Sequence, residues 1–180
     1  NRHGLARMGR ARGPMRWVNH LHHRLHRNSR AGSLRNIHAH YDLGNDFYAA
    51  WLDRTMTYSS ALFDPAHPGE PLELAQRRKI DAALDRLALK DGDHLLEIGC
   101  GWGALGARAV ELADIGYTGL TLSHEQAAWA APLVAPQGQV VLRDYRDEDG
   151  RYDAIASIEM VEAVGQAYWP DYLAALARLL

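Results

Sequence analysis

Leu95-Leu96-Glu97-Ile98-Gly99-Cys100-Gly101-Trp102-Gly103-Ala104-Leu105-Gly106 decides the fold. An apolar run ends in an acid, a glycine follows on every second residue, and an Ala/Leu/Val-rich pattern continues to Leu112. This order predicts a buried strand, a tight loop and a helix N-terminus. Glycine suits such a loop because it tolerates positive φ and lets a ligand approach the backbone with no Cβ in the way. The helix behind it offers N–H groups that have no partner inside the helix. Gly101, Gly103 and Gly106 also satisfy the dinucleotide fingerprint G-x-G-x-x-G. That fingerprint wants an acid about 20 residues further on, for a ribose hydroxyl. The second strand here ends in Thr121-Leu122-Ser123, and the acid stands before the loop instead, as Glu97.

Outward from this unit, strands and helices alternate. A strand is expected over residues 116–121. Ser123 and Gln126 form a capping box for a helix that Pro132 ends. Further strands are expected over 139–143 and 152–157, and a last helix over 168–180 carries Tyr172, Leu173, Leu176, Leu179 and Leu180. Such alternation means α/β class: a doubly wound parallel sheet, Rossmann-like, with ligands at the carboxyl ends of its strands. Upstream, Pro71 opens an amphipathic helix at its first position, with Leu72, Ala75, Ile80, Ala83, Leu84 and Leu87 inward. Gln76, Arg77, Arg78 and Lys79 fall on its outer face as solvated polar groups. Asn45 or Asp46 caps a short helix bearing Phe47, Tyr48, Trp51 and Leu52, aromatics that suit either a core or an apolar pocket. The chain therefore divides into a basic arm (1–38), an N-terminal helical cap (39–92) and an α/β core (93–180). The apolar face of the last helix calls for partners beyond Leu180, so a fragment of a longer protein is expected.

The net charge of −2 hides an asymmetry. Residues 1–40 hold nine arginines and no acid, while the other 140 residues carry the remaining 11 basic side chains and all 22 acids. A basic arm on an acidic body suggests a polyanionic partner. Residues 1–13 read as disordered until bound. From Pro14, Trp17, Val18, Leu21 and Leu25 form one face of a basic helix. That helix suits an anionic membrane surface, or packing on its own domain. His20, His22, His23 and His26 lie there without a nearby Cys, Asp or Glu, so no metal site is read. No run of 18 apolar residues exists to span a membrane. The N-terminus lacks the apolar segment of a secretory signal. The only cysteine, Cys100, excludes an internal disulfide and reads as a small residue packed in the turn. These features suit a cytoplasmic protein, peripheral at the inner face of the membrane, without a nucleic-acid partner.

E-x-G-x-G-x-G is the pattern of S-adenosylmethionine (SAM) methyltransferases. From about His40 to Leu180 the chain more specifically resembles the cyclopropane-fatty-acyl-phospholipid synthase family, which includes the mycolic acid cyclopropane synthases. The carriers are HYDLGNDFY, TYSSALF, LLEIGCGWG, GLTLSHEQ, RDYR and SIEMVEAVG, in that order. The resemblance implies SAM-dependent transfer of a methyl or methylene group to the cis double bond of an unsaturated phospholipid acyl chain. The alternatives are N-methylation of a small amine, or an inactive SAM-binding fragment. SAM contacts are implied at Tyr58 and Ser59; at Leu95, Leu96, Glu97, Ile98, Gly99, Cys100, Gly101, Trp102 and Gly103; at Thr121, Leu122, Ser123 and Gln126; and at Tyr145 and Arg146. Glu97 and the loop N–H groups would receive the methionine end, and Thr121 with Gln126 the ribose. Cyclopropane formers of the family hold a bicarbonate that takes the departing proton. Two positions of its ligand set fall on Ser60 and Glu162, the implied catalytic residues, while the histidine beside the glutamate is Ala163 here. Glu159 shares the face of Glu162 if that segment is helical. A homodimer is a further expectation.

Overall fold

The structure is a computed structural model that describes residues 44–180. The arm and His40-Tyr41-Asp42-Leu43 lie outside the described residues. Four parallel strands form one sheet in the order β3-β2-β1-β4. They are β1 (His94–Ile98), β2 (Gly116–Thr121), β3 (Gly138–Leu142) and β4 (Ala154–Ala156). Among the described residues six α-helices accompany them: α1 (Asn45–Ala49), α2 (Leu72–Leu87), α3 (Ala104–Leu112), α4 (His124–Val134), α5 (Val161–Val164) and α6 (Trp169–Leu179).

Residue alternation on β1 divides the core into two layers. Leu95 points to one face, where Ile80 and Leu84 of α2, Leu105 and Ala109 of α3 and Val134 of α4 bury it. Leu96 and Ile98 point to the other, among Val164, Tyr172, Ala175 and Leu179 from α5 and α6. Leu95, Leu96, Val134 and Leu179 are wholly enclosed. Burying a side chain of this size stabilises by roughly 1.5–3 kcal/mol, so these positions fix the register of strand against helix.

The chain leaves β1 toward β2 and β3, then returns to place β4 on β1's free side. The β1/β4 boundary is thus the point where strand order reverses, the place where doubly wound sheets bind ligands outside the carboxyl ends of their strands. The loops that follow β1 and β4 meet there. A Cβ on Gly99 would lie 3.3 Å from Met160 Sδ. Ser157 Oγ also donates to the Ile98 carbonyl at 3.3 Å.

Some boundaries depart from the sequence pattern. α4 continues through Pro132 to Val134. Val134 is fully buried and Pro132 lies on the exposed side, so packing carries the helix past the missing N–H. Pro71 caps α2 from just outside it. Leu72, expected inward, is exposed. Gly44, at φ 80°, takes the cap position of α1, which leaves the Asn45 side chain for another use.

Candidate functional site

The glycine loop starts where Glu97 is sealed under α3. Burial raises the Glu97 carboxyl to about 8, against hydrogen bonds from the Tyr117 hydroxyl and the Gly106 N–H and the pull of Lys79. Tyr117 Oη donates to Glu97 Oε2 at 2.5 Å. The Tyr117 ring explains two glycines. It pairs with Leu95 in the sheet, one step below Glu97 opposite Gly119. Its hydroxyl passes so close that a Cβ on Gly119 would stand 2.6 Å from it, and one on Gly106 2.3 Å from the ring. The third glycine of the fingerprint therefore makes room for the tyrosine that holds the acid.

The loop itself is mostly self-satisfied. The N–H groups of Gly99 and Cys100 both donate to the Leu120 carbonyl, each at 3.0 Å. They tie the loop to β2, which corrects the expectation that loop amides in general face a ligand. The Gly101 N–H has no partner among the described residues. Gly101 sits at φ 53°, and a Cβ there would meet nothing within 4 Å, so this is the side of the loop open to a ligand. Cys100 is buried and its thiol is pushed up by burial, as befits a packed residue rather than a nucleophile.

At the end of β2, Thr121, Ser123 and Gln126 are all buried and bind one another. Ser123 Oγ accepts from Gln126 N at 3.3 Å, the first half of the capping box. The second half is replaced. Ser123 N donates to Thr121 Oγ1 at 3.1 Å, and Thr121 Oγ1 donates to Gln126 Oε1 at 2.8 Å. The Gln126 amide nitrogen keeps its donors without a partner among the described residues. Leu122 between them is half-buried. Beyond β3, Tyr145 is buried edge-on against Tyr172, ring centroids 5.2 Å apart. The Arg146 guanidinium folds back onto Asp144, Nε to Oδ1 at 2.8 Å.

The cap closes on this loop through Trp102. Its ring is buried 5.0 Å from that of Tyr48, and its Nε1 donates to Asn45 Oδ1 at 2.8 Å. Asn45 Nδ2 in turn donates to Glu125 on α4 at 3.3 Å. Tyr48 continues into Trp51 and Tyr58, 5.9 and 5.8 Å away. Phe47, Trp51, Tyr58, Leu62 and Phe63 remain exposed on the cap.

The segment after Tyr58 is strapped down by groups that the helical pattern had assigned to solvent. Gln76 is buried and donates to the carbonyls of Thr57 and Ser59 at 3.2 and 2.8 Å. Its Oε1 is a buried acceptor with no partner among the described residues. Lys79 Nζ donates to Ser59 Oγ at 2.6 Å. Burial lowers the Lys79 ammonium's pKa against the attraction of Glu159, Asp53 and Glu97. Arg78 donates to the Leu62 carbonyl at 2.9 Å and grips Glu70 with both terminal nitrogens.

Ser60 and Glu162 do not form a pair. Ser60 gives its backbone N–H to Glu159 Oε1 at 3.0 Å and its hydroxyl to the same oxygen. Glu159 precedes the helix, with φ at 50°, so it does not share a face with Glu162. Glu162 is exposed in the first turn of α5. The carboxylate that Ser60 meets is the one the sequence placed second. Among the described residues there is no group of His, Cys, Asp and Glu fit to hold a metal ion, and no helix long and apolar enough to cross a membrane.

Comparison with known proteins agrees with this layout. Residues 28–180 match the family described as mycolic acid cyclopropane synthetase. Tuberculostearic acid methyltransferase UfaA1 of Mycobacterium tuberculosis is 48% identical over 162 residues, which cover 84% of this chain and 38% of that protein. Hydroxymycolate synthase MmaA4 of M. tuberculosis is 44% identical over 142 residues, 76% of this chain and 46% of that protein. The crystal structure of mycolic acid cyclopropane synthase CmaA1 complexed with SAH and CTAB superposes with a TM-score of 0.77 at 41% identity. It covers 82% of this chain and 53% of that one. The chain thus spans about half the length of these relatives or less. With the family matched across most of its length, the chain belongs to the mycolic acid cyclopropane synthetase family.

Proposed function

We infer that this chain forms the SAM-binding part of an enzyme that transfers a methyl or methylene group to the cis double bond of an unsaturated acyl chain. The observation that carries this reading is the direct junction of two surfaces. The open side of the glycine loop is joined through Trp102 and Tyr48 to an exposed aromatic rim. A polar cofactor and an apolar substrate would share one crevice.

The residues present fit SAM. The buried Glu97, the unpartnered Gln76 Oε1 and the Gly101 N–H suit an amino-acid end that carries both an ammonium and a carboxylate. The free Gln126 amide donors suit a ribose hydroxyl, and no acid at the end of β2 is needed. Tyr145 is the aromatic residue nearest in sequence to the end of β3, where an adenine would lie. Bound there, SAM supplies an electrophilic methyl carbon. The chain's own residues orient it. Lys79 and Gln76 hold Ser59 and the Tyr58 segment, and Trp102 excludes water from the loop. Ser60 and Glu162 stand for the acyl side, and a phospholipid acyl chain is the proposed acceptor. The basic arm of residues 1–38 supplies contact with the anionic membrane surface where such chains reside.

Replacement of Gly101 tests the cofactor assignment. Gly101→Ala and Gly101→Val put carbon where the loop is open. SAM affinity measured by calorimetry should fall by about tenfold or more, which is ~1.4 kcal/mol. Unchanged affinity in a folded variant, or preference for NAD over SAM in the wild type, contradicts the reading.

A further inference from the structure

We propose that Glu159, positioned by Ser60, is the carboxylate that faces the cationic centre of the acyl chain and accepts its proton. The proposal rests on the function inferred above and adds a residue to it.

Three observations converge on Glu159. First, it lies in the loop at the carboxyl end of β4. It follows β4, beside the glycine loop, with its neighbour Met160 against Gly99. Ser60, which holds it, follows directly on Tyr58 and Ser59. Second, its two bonds from Ser60 both fall on Oε1. Oε2 has no hydrogen-bond partner among the described residues. The Ser60 hydroxyl and amide hold the carboxyl below the usual carboxylate range, so the group is ionised and able to accept. Third, Glu159 and Ser60 line a cleft of about 360 Å³ whose other walls include Ala61, Leu62, Ala82 and Ala83. Lys79 and Arg86 complete it. Ser60 and Glu159 are exposed at its open side, where the carboxylate is the only anion among alanines, a leucine and two cations, and a carboxylate favours positive charge that develops beside it.

The backbone adds a fourth point. Glu159 adopts φ of 50°, a conformation that glycine takes without cost. A bulky acidic residue held in that conformation is a feature found at sites where geometry serves function.

The step is balanced within the lipid and the protein. After transfer, the acyl chain carries a new carbon and a positive charge. Either a C–H bond of the new methyl breaks and its electron pair bonds that carbon to the cationic carbon, closing a ring, or a C–H bond on a carbon adjacent to the cation breaks and its pair forms a double bond. The proton passes to Glu159 Oε2, giving the neutral acid, which then loses it to solvent. No oxidant, reductant or further reactant is required.

The test uses the intact protein with Glu159→Gln and Glu159→Gly. The glycine variant relaxes the backbone, so its thermal stability should equal or exceed that of the wild type. Turnover on unsaturated acyl substrates should fall by about a hundredfold or more in both variants, the range of general-base losses. SAM affinity should stay within about threefold, which is under one kcal/mol. A readout independent of turnover is the binding of dodecyltrimethylammonium below its micelle concentration. This single-chain cation mimics the charged acyl chain, and both variants should bind it about tenfold more weakly if the carboxylate faces that charge. Full turnover in Glu159→Gln beside an active wild type overturns the proposal and leaves the inferred function standing. So does unaltered ammonium binding, which would make any loss of rate structural. A wild type that binds SAM but alkylates no acyl chain overturns the inferred function, and this proposal with it.

Discussion

Glu97 is the residue whose chemistry the rest of the site protects. Burial raises its carboxyl to about 8, so at neutral pH the protein without ligand holds it mostly protonated. In the unfolded chain the same group ionises near 4.5. Between those values the folded state binds the extra proton, so stability from this group declines as pH rises from about 4.5 to 8 and levels off above. A cationic ligand reverses the preference, because it favours the carboxylate. SAM binding should therefore release a proton near pH 7, and its affinity should rise as pH approaches 8. Calorimetry in buffers of different ionisation enthalpy reads the proton directly. Glu97→Gln should bind weakly with no proton release and flatten the pH dependence of the melting temperature. A wild type whose binding is insensitive to pH between 6 and 8.5 contradicts this assignment. The acid and its loop were legible in the sequence because both lie in one short stretch. Its partner Tyr117 was not, since only the sheet register brings a residue of β2 against it.

At the level of elements, α1 and the loop before α2 are tied down by long-range contacts that periodicity cannot see, while α2 itself packs on the sheet through Ile80 and Leu84. Asn45 or Asp46 read as a helix cap, because that is the usual role of such residues before an apolar run. Gly44 takes that place, and Asn45 bridges Trp102 and Glu125 instead. Gln76 and Lys79 read as solvated because α2's own pattern puts them off its apolar stripe. They are covered by the loop from Thr57 to Leu62, which folds back over the helix. By contrast, β1, β2 and α3 match the sequence reading, for each is set by local apolar runs and glycine punctuation. Asn45→Ala should cost about 1 kcal/mol in urea unfolding, the net worth of one hydrogen bond. It should also weaken SAM binding severalfold, by loosening Trp102 over the loop. Unchanged affinity would mean that the cap does not contribute to the cofactor site.

At the scale of the molecule, two features bear on substrate. One is the set of exposed apolar side chains on the cap, Phe47, Trp51, Tyr58, Leu62 and Phe63. The other is the charge division between the arginine-rich residues 1–40 and a remainder with a formal charge of −11. Together they suit an enzyme that meets its substrate at a lipid surface, where attraction to anionic headgroups weakens as salt rises. The arm lies outside the described residues, and its role rests on its composition and on the proposed acceptor. The most direct measurement gives the intact protein SAM labelled with deuterium in its methyl group, together with anionic vesicles rich in unsaturated phospholipid and a competing small amine. Mass spectrometry then locates the label. Labelled carbon should appear in the acyl chains, with transfer reduced by high salt and abolished by Gly101→Val. Label found on the amine, or SAM left unconsumed while the chains stay unmodified, would contradict it.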